Sequence, residues 1–334
     1  SVVGSPATVR DGLARLLQRT GADELMVVTS VFDFDARLRS YSLLAEDTYL
    51  AIADEARRRR LPLYGHVPES VRLETAVRAG HRSIEHFGRV TQACSTAEAA
   101  MIAANAAALR APEPMPSLMK AMAGHNKTTF DHWDAALCAR VTRQLAQAGT
   151  AVMPSLMISD FYLGKDPAPD DSRLLTVPKA VRAQWGQGDW RRQQMSAEML
   201  EQGPRSVALD WRTFKLAHDA GVMVLAGTDA AFANPFLFHG YTLHDELARY
   251  VQAGLTPQQA LMTATVNPGR FVKRRDLDGR ITRRRKADLV LLDTNPLADI
   301  AATRRIHAVI ANGRLFDRAA LDAMLNDAKE RAAR

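Results

Sequence analysis

The stretch "LPLYGHVPESVRLETAVRAGHRSIEHFG" (residues 61–88) decides how the chain folds. It opens on a short apolar run, "PLYGHV", which reads as a buried strand. "LETAVRAG" follows with apolar residues at helical spacing, and "SIEHF" is a second strand. A strand, a helix and a strand in that order make a parallel crossover. Each strand closes on a histidine, His66 and then His86.

Outward from there the alternation repeats. Apolar strands are expected at 23–31, 61–67, 82–87, 149–158 and 221–229. Helical patterns lie between them: 8–20 with Gly21 as its stop, 35–60, several within 95–148, and a long polar stretch over 160–220. "LHDELARYVQAG" and "TPQQALMTATVNPGRFV" are further helices, and "ADLVLLD" and "IHAVIANGRLFD" are short strands of a tail. Strands apolar along their whole length belong to a parallel sheet covered on both faces. The expected class is therefore α/β, with functional groups at the C-terminal strand ends, where His66, His86 and Asp229 fall.

Composition narrows the classes. The 334 residues carry a net charge of +7, yet aromatic residues are only 6% and none interleaves with the basic clusters at 57–60, 273–275 and 283–286. Those clusters read as solvated helix ends and loops, so no nucleic-acid partner is expected. No apolar run approaches membrane-spanning length, and no membrane partner is expected. The start has no signal-peptide pattern and no initiator Met, which implies a fragment or a processed product. Two cysteines, Cys94 and Cys138, make no disulfide framework; buried packing in a reducing, cytoplasmic setting is the expectation. "GSPATV" has too little glycine to cradle a phosphate.

Two imidazoles and a carboxylate form a ligand set that suits zinc, or less specifically iron or manganese. A bound cation would polarise a carbonyl oxygen and acidify a coordinated water, with Asp229 placed to carry its proton. A strand-end histidine held only by structural hydrogen bonds is the competing reading, and spacing leaves both open. Of the other histidines, His81 after Gly80 reads as a loop residue, and His125, His132 and His218 read as surface. His239 and His244 could line a pocket, with capping and surface packing as alternatives, and His307 belongs to a tail strand.

"ADEARRRRLPLYGHVPESV", "AVRAGHRSIEHFG", "VMVLAGTDA" and "KADLVLLDTNPLADI", in this order, resemble the metal-dependent amidohydrolase superfamily in its imidazolonepropionase-like and Xaa-Pro-dipeptidase-like branch. The resemblance runs from about residue 46 to the end. It implies a (β/α)8 TIM-type barrel with a small β-sandwich. It also implies that His66 and His86 are the metal ligands of barrel strands 5 and 6, and Asp229 the ligand and proton carrier of strand 8. Hydrolysis of a small-molecule amide or dipeptide follows, with Zn2+ or another divalent metal as cofactor.

Departures qualify that reading. The chain has no His-x-His pair, and "GADELMVVTSV" (residues 21–31), at the place of the bridging Lys, has no Lys. The first 45 residues resemble instead the C-terminal βα unit of a luciferase-like flavin monooxygenase. The expected organisation is that βα unit over 1–45, an amidohydrolase half-barrel over 46–275, and a β-sandwich-like tail with a final helix over 276–334. An incomplete barrel leaves open sheet edges, which a homo-oligomer would cover. Metal binding and activity are expected to be impaired. The alternative is a non-catalytic, truncated or fused remnant that serves at most as a scaffold or interaction piece. A flavin monooxygenase is disfavoured, since only its last βα unit is present. In "GRITRRRKADL", Arg284 stands where the family has a glycine; if that position needs a positive φ, the strain is roughly 1 kcal/mol or more.

Overall fold

The computed structural model describes residues 11, 15, 25–26 and 46–334, except 194, 232, 233, 275, 277 and 278. Most of the expected helix over 8–20, of the strand over 23–31 and of the luciferase-like segment therefore lies outside the described residues. The chain divides into two compact units, residues 1–153 with 208–223, and residues 154–207 with 224–334.

The first unit is built on a parallel sheet. Strands β1 (Leu25–Met26), β2 (Leu63–Gly65), β3 (His81–Glu85) and β4 (Ala151–Met153) lie in the order β1-β2-β3-β4 and all pair in parallel. Sheet order equals chain order, so every crossover moves one place in the same direction, as in the winding of a barrel segment. The ladder extends one step further, where Val152 N donates to the carbonyl of Met223 at 2.9 Å.

The helices of this unit include α1 (Glu46–Arg58), α2 (Leu73–Arg78), α3 (Gly88–Ala93), α4 (Glu98–Ala108), α5 (Pro114–Met122), α6 (His125–Asp131) and α7 (Ala135–Ala148). Helix α1 has Glu46 and Asp47 in its first turn and Arg57 and Arg58 in its last, which suits the helix dipole at both ends. Its face of Tyr49, Ile52, Ala53 and Ala56 is buried. Asp134 caps α7 by accepting from Leu137 N at 2.6 Å, and Gly149, at φ +66°, ends it. The strands contribute Leu63, Ile84 and Val152 to the core, all almost fully buried. Each such side chain stabilises the fold by about 1.5–3 kcal/mol.

Three expectations are corrected here. Cys94 and Cys138 are joined as a disulfide between the end of α3 and helix α7, with both residues fully buried. They are 44 positions apart in the chain, and the fold brings them together by packing α3 against α7, which spacing alone does not show. His81 is no loop residue; it opens β3 and is 2% exposed. The strand expected over 149–158 ends at Met153, because Ser155 turns left-handed (φ +48°) and a 3-10 helix, Leu156–Ser159, begins.

The second unit carries the long segment after β4 and the tail. An aromatic cluster of Trp185, Phe236 and Phe238 packs edge to face, with Val177 beside it. Helix α8 (Thr242–Gln252) buries Glu246, Leu247 and Tyr250, and α9 (Pro257–Ala264) starts with a capping box between Thr256 and Gln259. The tail is an antiparallel sheet, β5 (Leu289–Leu292), β6 (Ile306–Ala311) and β7 (Arg314–Phe316), in that order, followed by α10 (Arg318–Ala333). Val290 and Leu315 are exposed on it. Arg284 has φ +65°, so the position does demand the left-handed conformation and a non-glycine residue bears it.

Candidate active site

His66 follows the last residue of β2, and His86 follows the last residue of β3. Because β2 and β3 are parallel neighbours, both histidines come to the same end of the sheet. Their ring centroids are 4.8 Å apart, with the planes tilted by 37°. His86 N donates to the carbonyl of Met153 at 3.0 Å, which ties it to β4 as well. Its φ of +56° is left-handed, a conformation that costs a residue with a side chain about 1–2 kcal/mol. Such strain recurs where the chain is bent to aim a functional group.

The loop after His66 is pinned from below. Arg89 donates to the carbonyl of Val71 and to Gln92, and Asn105 Nδ2 donates to the carbonyl of Glu69 at 2.9 Å. His66 itself is half-exposed and lies 3.9 Å, Nε2 to Oε2, from Glu85. That carboxylate attracts the ring only when the ring is protonated.

Sequence reasoning passed over two buried groups. His81 bonds the hydroxyl of Tyr49 through Nδ1 at 2.9 Å and the carbonyl of Gly65 through Nε2 at 2.8 Å. Burial lowers its pKa, so its ring is held neutral. The signal was available in "HRSIE", where period-two alternation puts His81 and Ser83 on one inward face.

The second group is Glu246 in the second unit. Its Oε1 accepts from Leu156 N at 2.6 Å and its Oε2 from Met157 N at 2.8 Å. It thereby holds the turn that follows β4. Burial pushes its carboxyl up to about 7, against the downward pull of those two amides. Its signal was an acid one helical turn before the buried Tyr250.

Asp229, also in the second unit, has φ +53° and is exposed. Asn234 Nδ2 donates to its Oδ2 and to its backbone carbonyl, both at 2.8 Å. His244 bonds Thr303 Oγ1 through Nδ1 at 3.0 Å, and His307 Nδ1 lies 3.0 Å from Asp293 Oδ1 in the tail.

Two imidazoles that share one tetrahedral zinc have ring centres about 5 Å apart. His66 and His86 meet that requirement, so the pair fits two ligand positions of a divalent cation. Among the described residues, no group of three or more His, Cys, Asp or Glu side chains is placed to hold a metal ion. A cavity of about 550 Å3 in the first unit lies between α2 and α7, lined by Arg72, Val77, Glu98, Arg140 and Val141, and includes neither histidine.

Comparison with known proteins agrees with this layout. The amidohydrolase family model matches residues 44–316. Among solved structures, a bottromycin amidohydrolase superposes with a TM-score of 0.65 at 22% identity, covering 99% of this chain and 64% of that one. A Xaa-Pro dipeptidase with bound methionine gives 0.55 at 17% identity, covering 94% and 59%. The ochratoxinase of A. niger gives 0.55 at 18% identity, covering 94% and 55%. These identities show a shared fold, and the chain spans about three fifths of the length of the structures it matches. A stretch of 43 residues is 51% identical to the luciferase-like monooxygenase of Escherichia coli (strain K12), 13% of each chain.

Proposed function

The chain belongs to the amidohydrolase family, and from that premise we propose that it takes part in metal-dependent hydrolysis of a carbon–nitrogen bond in a small amide or dipeptide. The observation that carries the reading is the pair of strand-end imidazoles, His66 and His86, with ring centroids 4.8 Å apart. Neutral imidazole nitrogens at the C-terminal rim of a parallel sheet are where such a fold places its ligands.

Zn2+ is the cation whose ligand preference suits these donors. A bound divalent cation supplies polarisation of the amide carbonyl and a water acidified toward neutrality. His66 and His86 bind it and fix its place at the rim. Asp229, whose backbone is left-handed, is the further ligand and the carrier of the proton to the leaving nitrogen. That role for Asp229 rests on the sequence pattern. The remaining organisation of the proposal is an incomplete TIM-type barrel over 46–275 with a β-sandwich-like tail over 276–334.

The test is hydrolysis of a small panel of dipeptides and N-acyl amino acids by the full chain, with added zinc and with a chelator. Zinc-dependent release of free amine, abolished in His66→Ala and in His86→Ala, is the expected result. Turnover that is indifferent to chelator and to both variants contradicts the reading.

A second reading has its own observation in its favour. The sequence has no His-x-His pair, as in a non-catalytic remnant that keeps the fold and part of the site. Zinc-independent folding together with no turnover on any substrate of the panel supports it.

A further inference from the structure

We propose that His81 is a positioning residue, which sets the direction of His66 through the carbonyl of Gly65. The proposal rests on the reading of His66 and His86 as ligands.

The partners of His81 fix its tautomer. Nε2 of His81 lies 2.8 Å from the carbonyl oxygen of Gly65, a group that only accepts, so Nε2 carries the proton. Nδ1 is then an acceptor, and the Tyr49 hydroxyl donates to it at 2.9 Å. Both rings are almost fully buried, so neither bond is exchanged for water. The backbone of His81 is held too, because Thr150 Oγ1 donates to its carbonyl at 2.8 Å. The residue is thereby fixed from α1, from β2 and from the edge of β4.

What it fixes is a peptide plane. The carbonyl of Gly65 and the N–H of His66 belong to one planar unit, so holding the carbonyl holds the start of His66. The pairing register of β2 with β3 shifts between Leu63 and Tyr64, and Gly65 adopts φ +123°. The imidazole of His81 donates to this carbonyl, and the chain leaves β2 at the angle that brings the ring of His66 to that of His86.

Long-range proton–nitrogen NMR on the histidine-labelled full chain reads the tautomer directly. Zinc titration of the same chain and its variants reads the consequence. His81 is expected as the Nε2–H form. Zinc affinity is expected to fall about tenfold in His81→Ala, as for other supporting partners of metal ligands. Most of it should return in His81→Gln, whose amide can donate to the same carbonyl, and all of it should be lost in His66→Ala.

An Nδ1–H form of His81 overturns the proposal, and this readout needs no variant to fold. Wild-type zinc affinity in His81→Ala, alongside loss in His66→Ala, also overturns it while leaving the ligand pair standing. Unchanged affinity in His66→Ala removes the ligand reading, and the proposal with it.

Discussion

Gly65 occupies φ +123°, which glycine adopts freely and a residue with a Cβ does not. Gly65→Ala is therefore expected to cost about 1–3 kcal/mol, read as a lowered melting temperature, and to disturb the approach of His66 to His86. Glu246 makes a separate, pH-dependent contribution. Its folded value of about 7 lies above its ordinary 4.5, so the fold prefers the protonated acid. The stability it lends is present below about pH 4.5 and lost as pH rises through about 7. In Glu246→Gln that slope should vanish. The difference between variant and wild type is expected to change by on the order of 3 kcal/mol across this window, measured by denaturant unfolding at a series of pH values. An unchanged slope would show that the two backbone amides keep the carboxylate ionised. His81 has the opposite sign: its lowered pKa favours the neutral ring, so its contribution holds above about pH 6.5 and is lost as pH falls.

At the scale of elements, the disulfide between the end of α3 and α7 closes a loop of 44 residues. Its loss in Cys138→Ala, or on reduction, is expected to lower stability by about 4 kcal/mol, seen as a drop in melting temperature. A melting temperature indifferent to reductant would mean that the thiols pack without bonding. Arg284 is the reverse case. Its left-handed φ was legible in the sequence as a missing glycine in "GRITRRRKADL", and Arg284→Gly is expected to gain about 1 kcal/mol. What could be read was local: the apolar runs, the strand-end histidines, the odd residue at a turn. The disulfide, the burial of His81 and the grip of Glu246 on residues 156 and 157 all depend on contacts distant in the chain. Periodicity marks which face of an element is inward, but not which partner waits there.

For the molecule as a whole, the family model matches residues 44–316, while among the described residues no three metal-binding side chains are grouped. The parallel order β1-β2-β3-β4 was readable from alternation, since each apolar run is followed by a helical pattern. The lengths of the strands were not, because a strand ends where its partner or a left-handed residue ends it, as at Ser155. The proposed function requires His66 and His86 to grip one cation together. X-ray absorption fine structure of the zinc-loaded chain reads this from the metal's side. Two imidazole scatterers are expected at about 2.0–2.1 Å, reduced to one in His66→Ala. A zinc environment without imidazole scattering, or one that His66→Ala leaves unchanged, would contradict it.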